Sequence, residues 1–321
     1  MLAIVCPGQG SQTPGFLSPW LELPGVRDHL ESLSGQAGVD LTRHGTTSDE
    51  ETIKDTAVAQ PLIVAAGLVT GRVLLASRPM TAATVVAGHS VGELTASAIA
   101  GALSEQDAVS FVRVRATAMA EAGAVVATGM SAVLGGDPDD VAEVLARHSL
   151  TPANSNGGGQ VVAAGTLEQL AALSADPPAK ARVIPLKVAG AFHTHHMSPA
   201  TAALQGLRPS LRPMAPAATL LSNFGGMPVT SGDANLDSLI AQVSRPVRWD
   251  LCMAQMEQMG VTGVVELSPA GTLTGLMKRG MRGIPTLAVK SPEDLGTAAA
   301  FIDEHSRTPD PVISPIAEGH S

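Results

Sequence analysis

A serine between two glycines is the first feature of this sequence that could carry chemistry. In residues 85–96, VVAGHSVGELTA, Ser90 follows a short apolar run and precedes a segment with helical spacing. Strand, G-x-S-x-G and helix together form the pattern of a nucleophile elbow. A serine hydroxyl attacks a carbonyl only when a base removes its proton and N–H groups stabilise the resulting oxyanion. The alternative is a tight glycine turn with an incidental serine.

Histidines supply candidates for the base. The segment VAGAFHTHHMSPA, residues 188–200, contains His193, His195 and His196. A metal site is not predicted, because no carboxylate or further ligand group lies at a typical spacing. His195 and His196 are typical of a polar helix start. His193 follows the apolar GAF, where a strand would deliver it to the edge of a sheet.

A glycine-rich turn, PGQGSQ at residues 7–12, follows the first apolar run. It is not a dinucleotide-binding fingerprint, because Thr13 replaces the third glycine of G-x-G-x-x-G. The sequence contains no G-x-x-x-x-G-K-[ST] segment either. A turn at the carboxyl end of a strand is nevertheless well placed to direct a backbone N–H into a site.

The elements that must position these residues alternate between strand and helix in the first half of the chain. Strands are predicted at 2–6 and 84–88, and helices at 59–77, at 91–101 and from Ser104 onward. The Ser104 hydroxyl is expected to cap its helix, with Asp107 three positions on. This alternation is typical of a parallel sheet covered by helices on both faces.

The order changes to β-α-β-β-α-β between residues 127 and 190, which is typical of a ferredoxin-like module. Strands are predicted at 130–136, 150–155, 160–165 and 181–188, and helices at 137–148 (Asp137 at its start) and 166–175 (capped by Thr166). Strands at 218–223, 263–268 and 285–290 then resume the alternation. We therefore predict a discontinuous α/β core at 1–126 and 191–305, an insertion at 127–190, and a disordered tail at 306–321.

The composition excludes several classes of protein. The 321 residues are 45% hydrophobic and carry a formal net charge of −9, and only 2% are aromatic, with no tyrosine. An acidic chain with few aromatic residues is not expected to bind nucleic acid. Two cysteines form no disulfide or metal pattern, and the apolar stretch at 57–77 is interrupted by Gln60, Pro61 and Arg72. We expect a cytoplasmic protein that does not enter a membrane.

Several motifs in order resemble the malonyl-CoA:acyl-carrier-protein transacylase family, and look most like its actinobacterial members. They are PGQGSQ, GHSVGE, an arginine 25 residues after Ser90, NSNGGGQVVAAG, GAFHT, QVSRPVRWD and VELSPAGTLTGL. The likeness runs from residue 2 to about residue 295. It implies an α/β-hydrolase-like core that carries the ferredoxin-like insertion already predicted.

The resemblance also assigns roles to single residues. Ser90 would be the nucleophile and His193 its base, with a backbone carbonyl at Gln242 in the place of the usual carboxylate. The backbone N–H groups of Gln9 and Val91 would form the oxyanion hole. Three residues would bind the substrate: Arg115 would pair with the malonate carboxylate, Phe192 would favour malonyl over branched acyl groups, and Asn156 would be a further substrate contact. The family usually has glycine where Ala116 stands.

The activity implied is transfer of malonyl from malonyl-CoA to an acyl carrier protein in fatty-acid or polyketide synthesis, with no metal or organic cofactor. A hydrolase built on the same elbow is one alternative, and Arg115 argues against it because a simple esterase needs no cation beside the acyl chain. A silent scaffold that only docks the carrier is another. The intact Ser90, His193 and GQG turn disfavour it.

Overall fold

The computed structural model of the chain describes residues 1–78, 80–188 and 190–306. In these residues ten strands form two five-stranded sheets. The strands are β1 Leu2–Cys6, β2 Thr84–Gly88, β3 Thr128–Gly135, β4 Thr151–Gly157, β5 Gln160–Thr166, β6 Ala181–Pro185, β7 Thr219–Leu221, β8 Val247–Arg248, β9 Gly263–Glu266 and β10 Thr286–Ala288.

Helices cover both sheets and connect most of the strands. In chain order they are α1 Val26–Ala37, α2 Leu41–Thr46, α3 Glu50–Lys54, α4 Thr56–Leu75, α5 Gly92–Ile99, α6 Glu105–Val125, α7 Pro138–Arg147, α8 Leu167–Ala175, α9 Ser198–Leu207, α10 Gly232–Gln242, α11 Trp249–Gln258, α12 Thr272–Gly280 and α13 Leu295–His305.

The larger sheet is parallel throughout, with strand order β10-β9-β1-β2-β7. Every residue of β1 and β2 is buried, which explains why both strands are continuous apolar runs rather than alternating ones. Cys6 and Gly88 are paired at the carboxyl ends of these two strands. The PGQG turn and the G-x-S-x-G turn therefore leave the sheet side by side.

The helix that precedes β2 along the chain is α4, and it is longer and more apolar than a surface helix needs to be. Its length and composition alone would allow it to span a membrane, but 78% of its most apolar window is buried inside the protein. The helix starts earlier than the predicted residue 59, because the Asp55 side chain accepts a hydrogen bond from the Ala57 N–H and caps it. It is a core helix of the α/β layer.

The second sheet contains the predicted β-α-β-β-α-β order, with β3, β5, β4 and β6 pairing antiparallel in the order β6-β3-β5-β4. Asp137 caps α7, and Thr166 forms a capping box with Gln169 at the start of α8. The fold class predicted from the sequence is confirmed. The exact limits of the insertion, 127–190, stay a prediction, supported by the change from parallel to antiparallel pairing after β2.

Two features of the second sheet differ from the prediction. β6 ends at Pro185 rather than at residue 188, since proline lacks the N–H that a ladder requires. A fifth strand, β8, pairs parallel with β4 and comes from the segment between α10 and α11. The pattern gave no sign of β8, because a two-residue strand has no periodicity. The predicted disordered tail lies outside the described residues except for Ser306, which caps α13.

Candidate active site

The turn between β2 and α5 holds Ser90 in a strained conformation. Its φ is 54°, a left-handed value that residues other than glycine rarely adopt. A Cβ on Gly88 would lie 2.0 Å from the carbonyl carbon of Gly92, and one on Gly92 would lie 2.2 Å from the Cys6 oxygen. Only glycine fits at either position. The two glycines therefore permit the sharp turn that presents the Ser90 hydroxyl.

His193 lies against this hydroxyl. Its Nε2 is 2.7 Å from Ser90 Oγ, and its Nδ1 is 2.9 Å from the backbone oxygen of Gln242. A carbonyl oxygen only accepts hydrogen bonds, so Nδ1 carries the proton and Nε2 presents its lone pair to the serine. The His193 backbone N–H donates to the Val243 oxygen at 3.0 Å. The end of α10 thus fixes both the place and the tautomer of the imidazole.

The environment keeps His193 neutral. Burial and, to a smaller extent, the Arg115 charge lower the pKa of His193 to about 3, although the hydrogen bond to the Gln242 carbonyl opposes the shift. The residue is only 3% exposed. At neutral pH the imidazole is therefore unprotonated and free to accept a proton from Ser90.

Arg115 reaches the same point from α6. Although arginine usually lies at the surface, this residue is 1% exposed, whereas Arg113 two residues earlier is exposed. Its Nη2 donates to Ser90 Oγ at 3.3 Å and to Gln242 Oε1 at 2.8 Å, and its Nη1 donates to Gln60 Oε1 at 2.5 Å. Burial lowers the pKa of Arg115 to about 10, so the guanidinium stays charged at neutral pH. Ala116 does not prevent this placement.

Two backbone N–H groups beside Ser90 are without a partner in the part of the chain that the structure describes, and are candidates for binding an oxyanion. Gln9, in the PGQG turn, and Val91, directly before α5, both line the cavity beside Ser90. Within the described residues neither N–H has a hydrogen-bond partner, whereas the Ser90 N–H is occupied by Asn223 Oδ1 at 2.8 Å. The free N–H of Val91 also lies at the positive end of the α5 dipole.

A cavity of about 360 Å³ joins these groups between the two sheets. Seven of the eight site residues predicted from the sequence line it, and the eighth, Gln242, lies directly behind His193. Phe192 is buried beside His193. Asn156, on β4, has its Oδ1 2.8 Å from His89 Nε2. His89 therefore ties the elbow to the second sheet, which explains a histidine directly before Ser90.

The histidines that follow His193 do not join the site. His195 is exposed, and its ring stacks on that of His196 with centroids 4.1 Å apart. Among residues 1–78, 80–188 and 190–306, no three His, Cys, Asp or Glu side chains are grouped so that they could hold a metal ion. The groups brought together in the cavity are the serine, the neutral imidazole and the buried cation.

Comparison with known proteins places this arrangement in a family. The family model described as an acyl transferase domain matches residues 3–299. The chain belongs to the acyl transferases. The malonyl CoA-acyl carrier protein transacylase of Mycobacterium tuberculosis (strain ATCC 25618 / H37Rv) is 53% identical over 301 residues, which are 93% of this chain and 99% of that protein.

Solved structures agree with this family. The crystal structure of MCAT from Mycobacterium tuberculosis superposes with a TM-score of 0.89 at 52% identity and covers 93% of this acyl transferase and 99% of that chain. A type II PKS acyl-carrier protein in complex with its malonyl-transacylase gives a TM-score of 0.86 at 29% identity, covering 93% and 99% of the two chains. The family resemblance inferred from the motifs is confirmed.

Three polar residues of the acyl transferase site were not predicted from the sequence: Gln60, Glu93 and Asn223. Asn223 follows β7 at the carboxyl edge of the sheet, where ligand-binding residues of parallel sheets collect, so its position could have identified it. Glu93 stands in the GHSVGE motif itself. Gln60 lies inside an apolar helix, and only the buried partner Arg115 explains it.

Proposed function

We propose that this acyl transferase moves a malonyl group from malonyl-CoA to the phosphopantetheine thiol of an acyl carrier protein, through a malonyl ester of Ser90. The observation that carries the proposal is the buried guanidinium of Arg115, 3.3 Å from Ser90 Oγ inside the cavity. A cation there matches an acyl group that ends in a carboxylate. The names of the relatives point to the same substrate and acceptor.

Acylation of Ser90 is the first half-reaction. His193 Nε2 removes the hydroxyl proton while Oγ attacks the thioester carbonyl, and the Gln242 carbonyl supports the imidazolium that forms. The N–H groups of Gln9 and Val91 hold the developing oxyanion. As the tetrahedral intermediate collapses, the C–S bond breaks and His193 returns the proton to the CoA sulfur.

In the second half-reaction the carrier thiol is the nucleophile and Ser90 is the leaving group. His193 takes the proton of the carrier thiol while the sulfur attacks the ester carbonyl. The ester C–O bond then breaks, and His193 returns the proton to Ser90 Oγ. The acyl–enzyme is thus common to both halves, giving ping-pong kinetics. The thioester substrate is already activated, so we propose that neither half needs a metal or organic cofactor.

Acyl selection follows from the other cavity residues. Arg115 would hold the malonate carboxylate through two parallel hydrogen bonds, and Phe192 would crowd a methyl branch at the acyl α-carbon. Asn156 would contact the substrate from the second sheet. We further propose that the enzyme works in the cytoplasm, where it supplies fatty-acid or polyketide chain extension.

The test is intact-protein mass spectrometry with malonyl-CoA, followed by addition of a phosphopantetheinylated carrier protein. The wild type should gain one malonyl group, lost again as the carrier gains it. Ser90→Ala should gain none while its circular dichroism spectrum stays that of the wild type. A malonyl adduct on Ser90→Ala would overturn the assignment of the nucleophile. Release of free malonate in preference to loading of the carrier would replace the transferase with a hydrolase.

A further inference from the structure

Glu93 is a buried carboxylate that the mechanism above does not use. It lies in α5, three residues after Ser90, and is 4% exposed. Its Oε1 accepts from the Asn223 N–H at 2.6 Å, and its Oε2 accepts from Gln242 Nε2. Burial raises the pKa of Glu93 to about 7, and these donors and the Arg115 charge oppose that shift.

The carboxylate determines which way the Gln242 amide faces. Both oxygens of the Glu93 carboxylate accept hydrogen bonds from N–H donors, and Gln242 therefore turns its NH₂ group toward Glu93. The same Nε2 donates to the Ser90 backbone oxygen at 3.0 Å. The amide oxygen is thereby left to face Arg115, whose Nη2 donates to it at 2.8 Å. If the Gln242 amide were reversed, its NH₂ group would face the N–H donors of Arg115, and neither group would find an acceptor there.

Arg115 has no carboxylate of its own. Across the described residues it forms no ion pair, and the protein acceptors of its guanidinium are the two glutamine oxygens and Ser90 Oγ. Glu93 stabilises the Arg115 charge through space, without contact. A direct ion pair would occupy the donors that a substrate carboxylate needs. Because the Gln242 amide lies between Glu93 and Arg115, the Glu93 charge leaves those guanidinium donors available to the substrate.

We infer that Glu93 is a positioning residue for acyl selection: through the Gln242 amide it directs Arg115 toward the acyl group and balances its charge without neutralising it by contact. This inference rests on the proposed function, because it concerns the preference for an acyl chain that ends in a carboxylate. Glu93 touches neither the substrate nor the reacting atoms, and it acts on the reaction through Gln242 and Arg115.

The test is Glu93→Gln, with kcat/KM for acylation measured separately with malonyl-CoA and acetyl-CoA. A glutamine presents one NH₂ group to donors, so the Gln242 amide loses its fixed orientation. We expect the malonyl-to-acetyl ratio to fall about tenfold or more, the effect of losing one charge-assisted hydrogen bond. An equal fall with both substrates would mean that Glu93 only supports the elbow, and it would overturn the inference.

Glu266→Gln is the matched control. Glu266 is also a fully buried carboxylate, but it accepts from the backbone N–H groups of Gly271, Leu273 and Thr274 and has no link to Arg115. Its substitution should leave the malonyl-to-acetyl ratio at the wild-type value, whatever it does to stability. If the malonyl-to-acetyl ratio fell as much in Glu266→Gln as in Glu93→Gln, the effect could not be assigned to the contact between Glu93 and Gln242.

A second variant keeps the inference testable if Glu93→Gln does not fold. Gln242→Leu removes both polar side-chain atoms but keeps the backbone carbonyl that holds His193, so it should lower the ratio as Glu93→Gln does. An unchanged ratio in Gln242→Leu would overturn the inference. Failure of the proposed function would be visible separately, because the wild type would then show no preference for malonyl-CoA.

Discussion

Replacing Arg115 by alanine should reverse the acyl preference of the enzyme rather than lower all activity. The residue is 1% exposed and its guanidinium lies 3.3 Å from the nucleophile, so a malonate carboxylate bound there is shielded from water. Two charge-assisted hydrogen bonds at about 1.5 kcal/mol each, the low end of their range, give about 3 kcal/mol. At about 1.4 kcal/mol per decade, kcat/KM for malonyl-CoA should fall about 10²-fold.

Acetyl-CoA has no carboxylate, and its transfer should be preserved or raised in Arg115→Ala, because the wild type must leave the cation unmatched beside it. The assay is kcat/KM for acylation with each substrate. Arg113→Ala is the control, since Arg113 is exposed on the same helix; both rates should stay at the wild-type values. An equal fall with malonyl-CoA and acetyl-CoA in Arg115→Ala would refute the reasoning.

Four further predictions concern His193, Phe192 and Asn223. Because the pKa of His193 is lowered to about 3, acylation by acetyl-pantetheine, which has no titrating group and does not use the Arg115 contact with a carboxylate, should show no acid limb above about pH 5, and a limb near pH 6.5 would contradict this. The same shift costs stability below about pH 6.5, because the unfolded chain then binds a proton that folded His193 does not, so Tm should decline as the pH falls from about 6.5 toward the folded pKa. Phe192→Ser should narrow the preference for malonyl-CoA over methylmalonyl-CoA in competition assays, and a wild type that loads both equally would argue against the crowding role. Asn223→Ala should slow Ser90 acylation with both malonyl- and acetyl-CoA, because it leaves the Ser90 N–H and the Gly88 carbonyl without partners. For the same reason it should lower the free energy of unfolding by about 2–4 kcal/mol in urea titrations. Wild-type stability in this variant would count against the role of Asn223.

Local patterns predicted the sheet that positions the nucleophile. The runs at 2–6 and 84–88 are buried on both faces, so their continuous apolar character and the glycines after them located the catalytic edge. The caps at Ser104, Asp137 and Thr166 lie where the sequence placed them, because a cap acts on N–H groups two or three residues away. Such signals need no knowledge of distant parts of the chain.

Contacts between distant segments could not be predicted in the same way. Gln60 and Arg115 are 55 residues apart, and Asn223 and Ser90 are 133 apart. Nothing in either local sequence indicates the partner, since each bond depends on how helices and strands pack. The resemblance to a family indicated Arg115 and Gln242, but it did not indicate the residues that hold them. The polar layer behind the site therefore became visible only in three dimensions.

The short strand β8 has a consequence for how the protein folds. It begins five residues after Gln242, whose carbonyl holds His193, and it pairs with β4. Asn156, on the same β4, holds His89 next to Ser90. The proposed base is thus joined to β4 through the short segment from Gln242 to β8, and the proposed nucleophile through the hydrogen bond between His89 and Asn156. Local unfolding of that sheet would release the base and loosen the nucleophile together, so partly folded molecules would be unreactive toward acyl-CoA rather than unselective acylating agents.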